Sequence, residues 1–274
     1  AERGVCQHCR VAPETVWRPR RIDIPSVPNM RDLAGAPATD GRRVKPGVLY
    51  RSTQLANLAD DDRDAIDALG LTTIVDLRTA VEVERAPDVD VDAQYVWLDV
   101  LRDYAMASAV GVEDVFADPA QFEAVLRDGT AAAMMRDAYL AMVDLDSARE
   151  SYGRWLQDLA RSEGPVLVHC TNGKDRTGWA VAVALLAVGV DERAVLVDYL
   201  TTNDQLLPVL EGLMAGVASR GIDPDLLLPV VGVREEYLET ALARVAQMGG
   251  MNAYLEHLGV SEETRVQLRD RLIE

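Results

Sequence analysis

The stretch from Pro165 to Val190 constrains the fold of this chain more than any other part of it. It opens with PVLVH, an apolar and β-branched run too short for a helix and suited to a buried strand. It closes with Trp179 to Val190, an apolar run of 12 residues between Arg176 and Asp191, well short of the ~20 needed to span a bilayer. Between the two lies a short polar loop, CTNGKDRTG. A buried strand feeding a buried helix through such a loop predicts a layered α/β domain.

The rest of the chain fits that expectation. Strands are predicted at Val48 to Ser52, Thr72 to Leu77 and Tyr95 to Val100, with a helix over Asp60 to Leu69 stopped by Gly70. Strands alternating with helices imply a mostly parallel sheet flanked by helices. A long insert, about residues 101–163, carries helical periodicity over Ala131 to Val143 and Ser147 to Ala160. In the second of these, Ser147 with Glu150 fits a capping box, and Tyr152, Trp155, Leu156 and Leu159 form an apolar stripe. After the loop everything reads as helix: Trp179 to Val188, Glu192 to Leu200, Arg234 to Ala246, Met251 to Leu258 and Thr264 to Leu272, the last capped by Ser261. Residues 1–28 show neither period and read as a surface arm, leaving residues 29–274 as a single domain.

Composition narrows the function. Among 274 residues, 28 Lys and Arg stand against 45 Asp and Glu, a formal net charge of −17. Such a chain repels nucleic acid and anionic membranes at long range, so nucleic acid is not an expected partner, and an anionic substrate, whether a phosphorylated protein, lipid or small molecule, would need a local positive pocket. Three cysteines suggest a reducing compartment, and a cytoplasmic location is the expectation, with secretion lacking a visible signal left open.

The loop supplies that positive pocket. The residues between Cys170 and Arg176 can curl so that successive backbone N–H groups face one point, to which the following helix adds its positive end. The result is a cradle for a tetrahedral dianion. Lys174 and Arg176 add full charges, and the planar guanidinium binds two phosphate oxygens side by side. Thr171, Asn172, Gly173, Thr177 and Gly178 complete the candidate binding loop, the two glycines permitting the tight curl and the close approach of helix to sheet. The same cradle favours the thiolate of Cys170, a nucleophile for attack on phosphorus. Thr177 can hydrogen-bond the thiolate as it departs, and His169 orients the loop. A buried structural cysteine is the competing reading, disfavoured by the conjunction of strand, His, Gly, Lys, Arg and Thr-Gly.

HCTNGKDRTG resembles the active-site loop of the protein tyrosine phosphatase superfamily, and specifically the bacterial family whose loop reads HCxxGKDRTG. NMRDLAG at Asn29 to Gly35, YRSTQL at Tyr50 to Leu55, DLRTAVEVE at Asp76 to Glu84, DYLTTND at Asp198 to Asp204 and GVREEYLETAL at Gly232 to Leu242 resemble that family in the same order. The resemblance implies a phosphatase fold with a helical lid over the site, no metal or other cofactor, and activity on phosphotyrosine, in some members also on phosphoserine, phosphothreonine or phosphoinositides. It transfers the nucleophile to Cys170, phosphate binding to Arg176 and an auxiliary cation to Lys174.

The leaving oxygen needs a proton, and two carboxyl groups compete to give it. Asp175 precedes the arginine, its alternative being an ion pair with Lys174. Asp103 follows the Tyr95 to Val100 strand, at the edge where ligands bind in open α/β sheets. Cys6, His8 and Cys9 suggest a zinc ligand set but fall short of the four that a structural site needs. Asp76, Arg78 and Glu82 read as a structural ion pair, and Met106, Met134, Met135 and Met142 fit a soft, mobile lid. The leading reading is a metal-independent phosphomonoester hydrolase working through phosphocysteine. The alternatives are a phosphatase for a phosphorylated sugar or nucleoside, a silent phosphate-binding module and, least favoured, an arsenate reductase.

Overall fold

The computed structural model describes residues 16–104 and 129–274. Six strands form one sheet in the order β1-β2-β3-β6-β4-β5: β1 (Arg20–Arg21), β2 (Arg31–Asp32), β3 (Leu49–Ser52), β4 (Thr73–Asp76), β5 (Gln94–Trp97) and β6 (Val166–His169). β3, β6, β4 and β5 run parallel, while β1 and β2 add an antiparallel edge. The α/β expectation therefore holds.

Side-chain alternation along the strands splits the core in two. Leu49, Val75, Val166 and Val168 face the larger cluster, whereas Tyr50, Ile74 and Leu167 face the smaller one with Ile24, Val27 and Ile66. Cys170 continues the Val166 and Val168 side and is buried in the larger cluster.

The helices in chain order are α1 (Arg63–Asp67), α2 (Ala80–Arg85), α3 (Thr130–Asp144), α4 (Asp146–Arg161), α5 (Asp175–Ala187), α6 (Glu192–Leu206), α7 (Glu211–Ala218), α8 (Leu228–Val231), α9 (Glu235–Gln247), α10 (Met251–His257) and α11 (Glu262–Leu272). α5 is the central one. Every residue from Thr177 to Leu185 is buried, as the apolar run requires, and Trp155 of α4 and Tyr254 of α10 close on it through the Ala180 carbonyl and the Trp179 indole. Among the described residues no helix is long and apolar enough to cross a membrane.

Several local expectations change. α5 begins at Asp175, four residues before the predicted start, so Asp175, Arg176 and Thr177 lie in its first turn. The predicted arm is partly structural: Arg20 and Arg21 join the sheet, and Ile24 and Val27 are buried because the smaller sheet face needs a cover. Ser147 and Glu150 form no capping box. Leu145 occupies the cap position, the Ser147 hydroxyl donates to the Val100 carbonyl, and Glu150 pairs with Arg102. Ser261 does cap α11, accepting the Thr264 N–H. Cys6, His8, Cys9 and Met106 lie outside the described residues. Of the remaining methionines in the insert, Met142 is core.

Candidate active site

The site begins where β6 ends. Its loop carbonyls are pinned outward one after another: Thr171 O accepts the Gln54 N–H at 3.1 Å, Asn172 O and Gly173 O accept the Asn29 side-chain amide at 3.2 and 3.0 Å, and Arg51 Nη2 donates to Gly173 O at 2.6 Å. In a planar trans peptide the N–H points away from its carbonyl, so the N–H groups of these peptides face away from Gln54, Asn29 and Arg51. Gly173 has φ +62°, and a Cβ there would stand 2.0 Å from Ser52 O, so only glycine lets the loop rest on the end of β3.

Behind the loop lies a buried triad. Asp198 of α6 accepts Arg31 Nε at 2.7 Å and Arg51 Nη1 at 2.5 Å, with all three side chains essentially excluded from solvent. Asn29, itself at φ 62°, also accepts from Arg31 through its side chain. Burial, then the neighbouring Arg51 charge, push Arg31 down to about 10 in spite of Asp198. Two guanidinium groups against one carboxylate leave positive charge directly behind the amides. Here the NMRDLAG, YRSTQL and DYLTTND segments meet, although they stand far apart in the chain.

Arg176 is engaged. Its two terminal nitrogens donate to the two oxygens of Glu82, at 2.5 and 2.7 Å. Glu82 also accepts from Thr171 Oγ1 at 2.5 Å and closes the capping box of α2 with Thr79. Burial opposes the Glu82 anion, but the Arg176 guanidinium and the Thr171 and Thr79 donors outweigh it, holding the carboxyl well below the usual carboxylate range. Burial likewise opposes the Arg176 cation. Glu82, Cys170 and Asp175 overcome that penalty and hold it above its ordinary value. Of the expected ion pair, Asp76 with Arg78 forms, at 2.7 Å, and only its Glu82 member is corrected: Glu82 binds Arg176, and Asp88 is the second carboxylate on Arg78, at 3.1 Å.

Lys174 points away from the cradle, with three acceptors for its three donors: Val230 O at 2.6 Å, Gly232 O at 3.3 Å and Asp175 Oδ2 at 2.9 Å. Asp175 Oδ1 accepts from the Tyr139 hydroxyl at 3.1 Å, and its other oxygen makes the Lys174 ion pair, the alternative reading of this carboxylate. Thr177 Oγ1 is buried with no hydrogen-bond partner, which leaves it free for a sulfur or phosphate oxygen. Gly178 packs within 3.1 Å of the Tyr199 ring as reckoned from an added Cβ, and Asn172 is exposed. Asp103 accepts the Ser147 N–H at 2.9 Å, which fixes it to the start of α4.

The model of the tyrosine phosphatase family matches residues 22–274. The chain belongs to that family. It is 31% identical over 280 aligned positions to a triple specificity protein phosphatase, PtpB, of Mycobacterium tuberculosis, covering 92% of this chain and 98% of that protein. A putative tyrosine-protein phosphatase of Cupriavidus necator is 31% identical, with 84% of this chain and 81% of that protein covered. A tyrosine-protein phosphatase of Nostoc commune is 29% identical, with 87% and 79% covered. As a member of the tyrosine phosphatase family the chain is a tyrosine-phosphatase-like enzyme.

One carboxyl group of this phosphatase escaped the sequence reading. Asp99, just past β5, is raised from its ordinary value by burial, although the Ala80 and Leu101 N–H groups favour its anion, and it feels both Arg176 and Glu82. Its signal was the same as that for Asp103, a carboxylate after a strand end, and burial separates the two.

Proposed function

We propose that this enzyme hydrolyses phosphomonoesters, with phosphotyrosine or a phosphoinositide as substrate, through a phosphocysteine intermediate and without a metal. The observation that supports the reading is the set of loop carbonyls held by Gln54, Asn29 and Arg51, which frees the N–H groups of the same peptides for an anion beside Cys170, at the loop that runs into the N-terminus of α5. The names of the relatives support phosphotyrosine, and the triple specificity named for the mycobacterial protein supports a broad choice of ester.

In the first step the Cys170 thiolate attacks phosphorus in line with the ester oxygen. The Sγ–P bond forms, the P–O bond to the alcohol or phenol breaks, and an aspartic acid gives the leaving oxygen its proton. In the second, water attacks the phosphocysteine, its proton returns to the aspartate, and the thiolate leaves toward the Thr177 hydroxyl. Arg176, released from Glu82, takes two equatorial oxygens of the phosphoryl group, where charge is greatest. Asp175 is our proton donor, and its Lys174 and Tyr139 contacts fix its position. Asp99 is the second reading, favoured by its raised carboxyl.

The test is phosphate release from p-nitrophenyl phosphate. Cys170→Ser abolishes it and chelators leave it unchanged; persistence of turnover in Cys170→Ser refutes the mechanism. Asp175→Asn, Asp99→Asn and Asp103→Asn are then compared across pH. Asp175→Asn is expected to lose at least about tenfold in kcat and to flatten the basic limb, whereas collapse confined to Asp99→Asn or Asp103→Asn reassigns the donor. A panel of phosphopeptides, inositol phosphates and sugar or nucleoside phosphates ranks the substrates, and a sugar or nucleoside phosphate at the top overturns the substrate class.

A further inference from the structure

We infer that Tyr139 and Tyr199 form a two-hydroxyl chain that positions Asp175 for proton donation, Tyr139 as the contact and Tyr199 as its support. The inference rests on the assignment of Asp175 as donor above and deepens it.

Asp175 lies in the first turn of α5 with 23% of its side chain exposed, open enough to meet a leaving oxygen. The last torsion of an aspartate is broad, so one contact leaves the carboxyl plane free to turn. Two contacts on different oxygens fix it. Lys174 Nζ lies 2.9 Å from Oδ2, and the Tyr139 hydroxyl, from α3, donates to Oδ1 at 3.1 Å. A proton donor must stand within hydrogen-bond reach of the oxygen it serves, and a misplacement of about 1 Å can cost about a hundredfold in rate.

The direction of the chain follows from counting protons. Tyr139 and Tyr199 are fully buried, with their hydroxyl oxygens 2.6 Å apart. Burial, and after it the charge of Asp175, raises both phenols above their ordinary values, so both hydroxyls keep their protons at neutral pH. Two hydroxyls by themselves satisfy only one of those protons, and the second needs an acceptor. Among the described residues Asp175 Oδ1 is that acceptor. Tyr199 therefore donates to Tyr139 and Tyr139 to Asp175, each bond polarising the next.

Several elements are shaped around this contact. The Tyr199 ring, from α6, lies over Gly178, where an added Cβ would stand 3.1 Å from it. Gly178 follows Asp175 by three residues and so shares its face of α5. A side chain there would crowd the ring whose hydroxyl meets Tyr139. The Tyr139 ring packs edge to face on that of Tyr199 at 6.3 Å and lies 5.9 Å from that of Tyr237 in α9. Tyr237 in turn donates its hydroxyl to Pro229 O at 2.9 Å, next to the Val230 carbonyl that holds Lys174. The partners of both Asp175 oxygens are thus braced against one another.

Leaving-group dependence tests the chain, because dinitrophenolate departs without a proton and phenolate does not. Tyr139→Phe is expected to lower kcat/KM, which reports phosphocysteine formation, about tenfold on phenyl phosphate and less than about threefold on dinitrophenyl phosphate. Tyr199→Phe should show the same bias, at about threefold on phenyl phosphate. In an Asp175→Asn background Tyr139→Phe should add less than about twofold, since both act on one proton. Equal losses on the two esters or no loss in either variant, or a full further loss beside Asp175→Asn, overturns the inference. Should Tyr139→Phe fail to fold because it orphans the Tyr199 hydroxyl, Tyr139→Phe with Tyr199→Phe removes both partners together and carries the same comparison of esters. The two readings fail separately. Asp175→Asn without a leaving-group bias refutes the donor assignment, whereas a bias in Asp175→Asn and none in Tyr139→Phe refutes only the chain.

Discussion

Two buried charge clusters flank the candidate phosphate loop, and they are built with opposite excess. The Arg31, Arg51 and Asp198 triad sets two cations on one carboxylate and holds the loop's outer carbonyls. The Asp76, Arg78, Asp88 and His169 quartet sets two carboxylates on one guanidinium and lies under the strand end that carries Cys170. Burial raises the cost of every one of these charges, so each survives only beside its complement. The positive excess lies where a dianion would arrive. The acidic excess lies against the buried ring of His169, at the end of β6. A chain of net charge −17 thus keeps a local excess of cations beside the loop by burying the right ions rather than by having many.

The comparison can be broken by removing the shared ion from each cluster. Asp198→Asn leaves Arg31 and Arg51 facing one another, and Arg78→Met leaves Asp76 and Asp88 so. Each should cost about 3–5 kcal/mol at neutral pH, the scale for orphaning a buried charge. Only one of the two penalties should depend on pH in this range. Without Arg78 a carboxylate's folded pKa rises above its unfolded value, so the penalty is full at neutral pH and shrinks as acid protonates the group. Asp198→Asn has no such relief. Urea unfolding at pH 7.5 and 5 measures both, and parallel behaviour would erase the distinction.

A smaller effect is expected at the bridge between loop and sheet. Glu82→Gln removes the anion that holds Arg176, at a cost of about 1–2 kcal/mol after allowance for a side chain 31% exposed. Because Arg176 and the Thr171 and Thr79 donors outweigh burial and depress the Glu82 pKa, the wild type keeps this contribution above the free Glu value of about 4.3. It is lost as pH falls toward the folded pKa. Thermal midpoints of wild type and variant should therefore converge in acid, and a constant gap would contradict the assignment. The smallest effect belongs to Tyr95→Phe, which deletes one hydroxyl bond to Asp76 at the edge of the quartet. About 1 kcal/mol or less is expected by urea titration, with activity nearly unchanged.

Capping boxes illustrate what could be read in advance. Thr79 with Glu82 and Ser147 with Glu150 carry the same four-residue signature, and only the first closes. Around Ser147 the chain had better offers: Val100 O takes its hydroxyl, Asp103 takes its N–H, and Arg102 takes Glu150. Glu82 in turn gained Arg176 because β4 lies beside β6, which places α2 against the loop. Local pattern proposes such bonds, and neighbours distant in the chain decide them.

From the chain alone came the strand, the loop and the buried helix, because hydrophobic period and β-branching act over a few residues and need no partner to be recognised. From it too came Cys170 and Arg176 on one short loop, whose spacing is fixed by covalent geometry. Tertiary structure alone decided which way the loop carbonyls face, which carboxylate holds Arg176, and where Lys174 spends its three donors. Those outcomes depend on Asn29, Arg51, Glu82, Asp198 and Val230 arriving from separate elements, and a buried charge takes the partner that packing brings to it, not the one nearest in sequence.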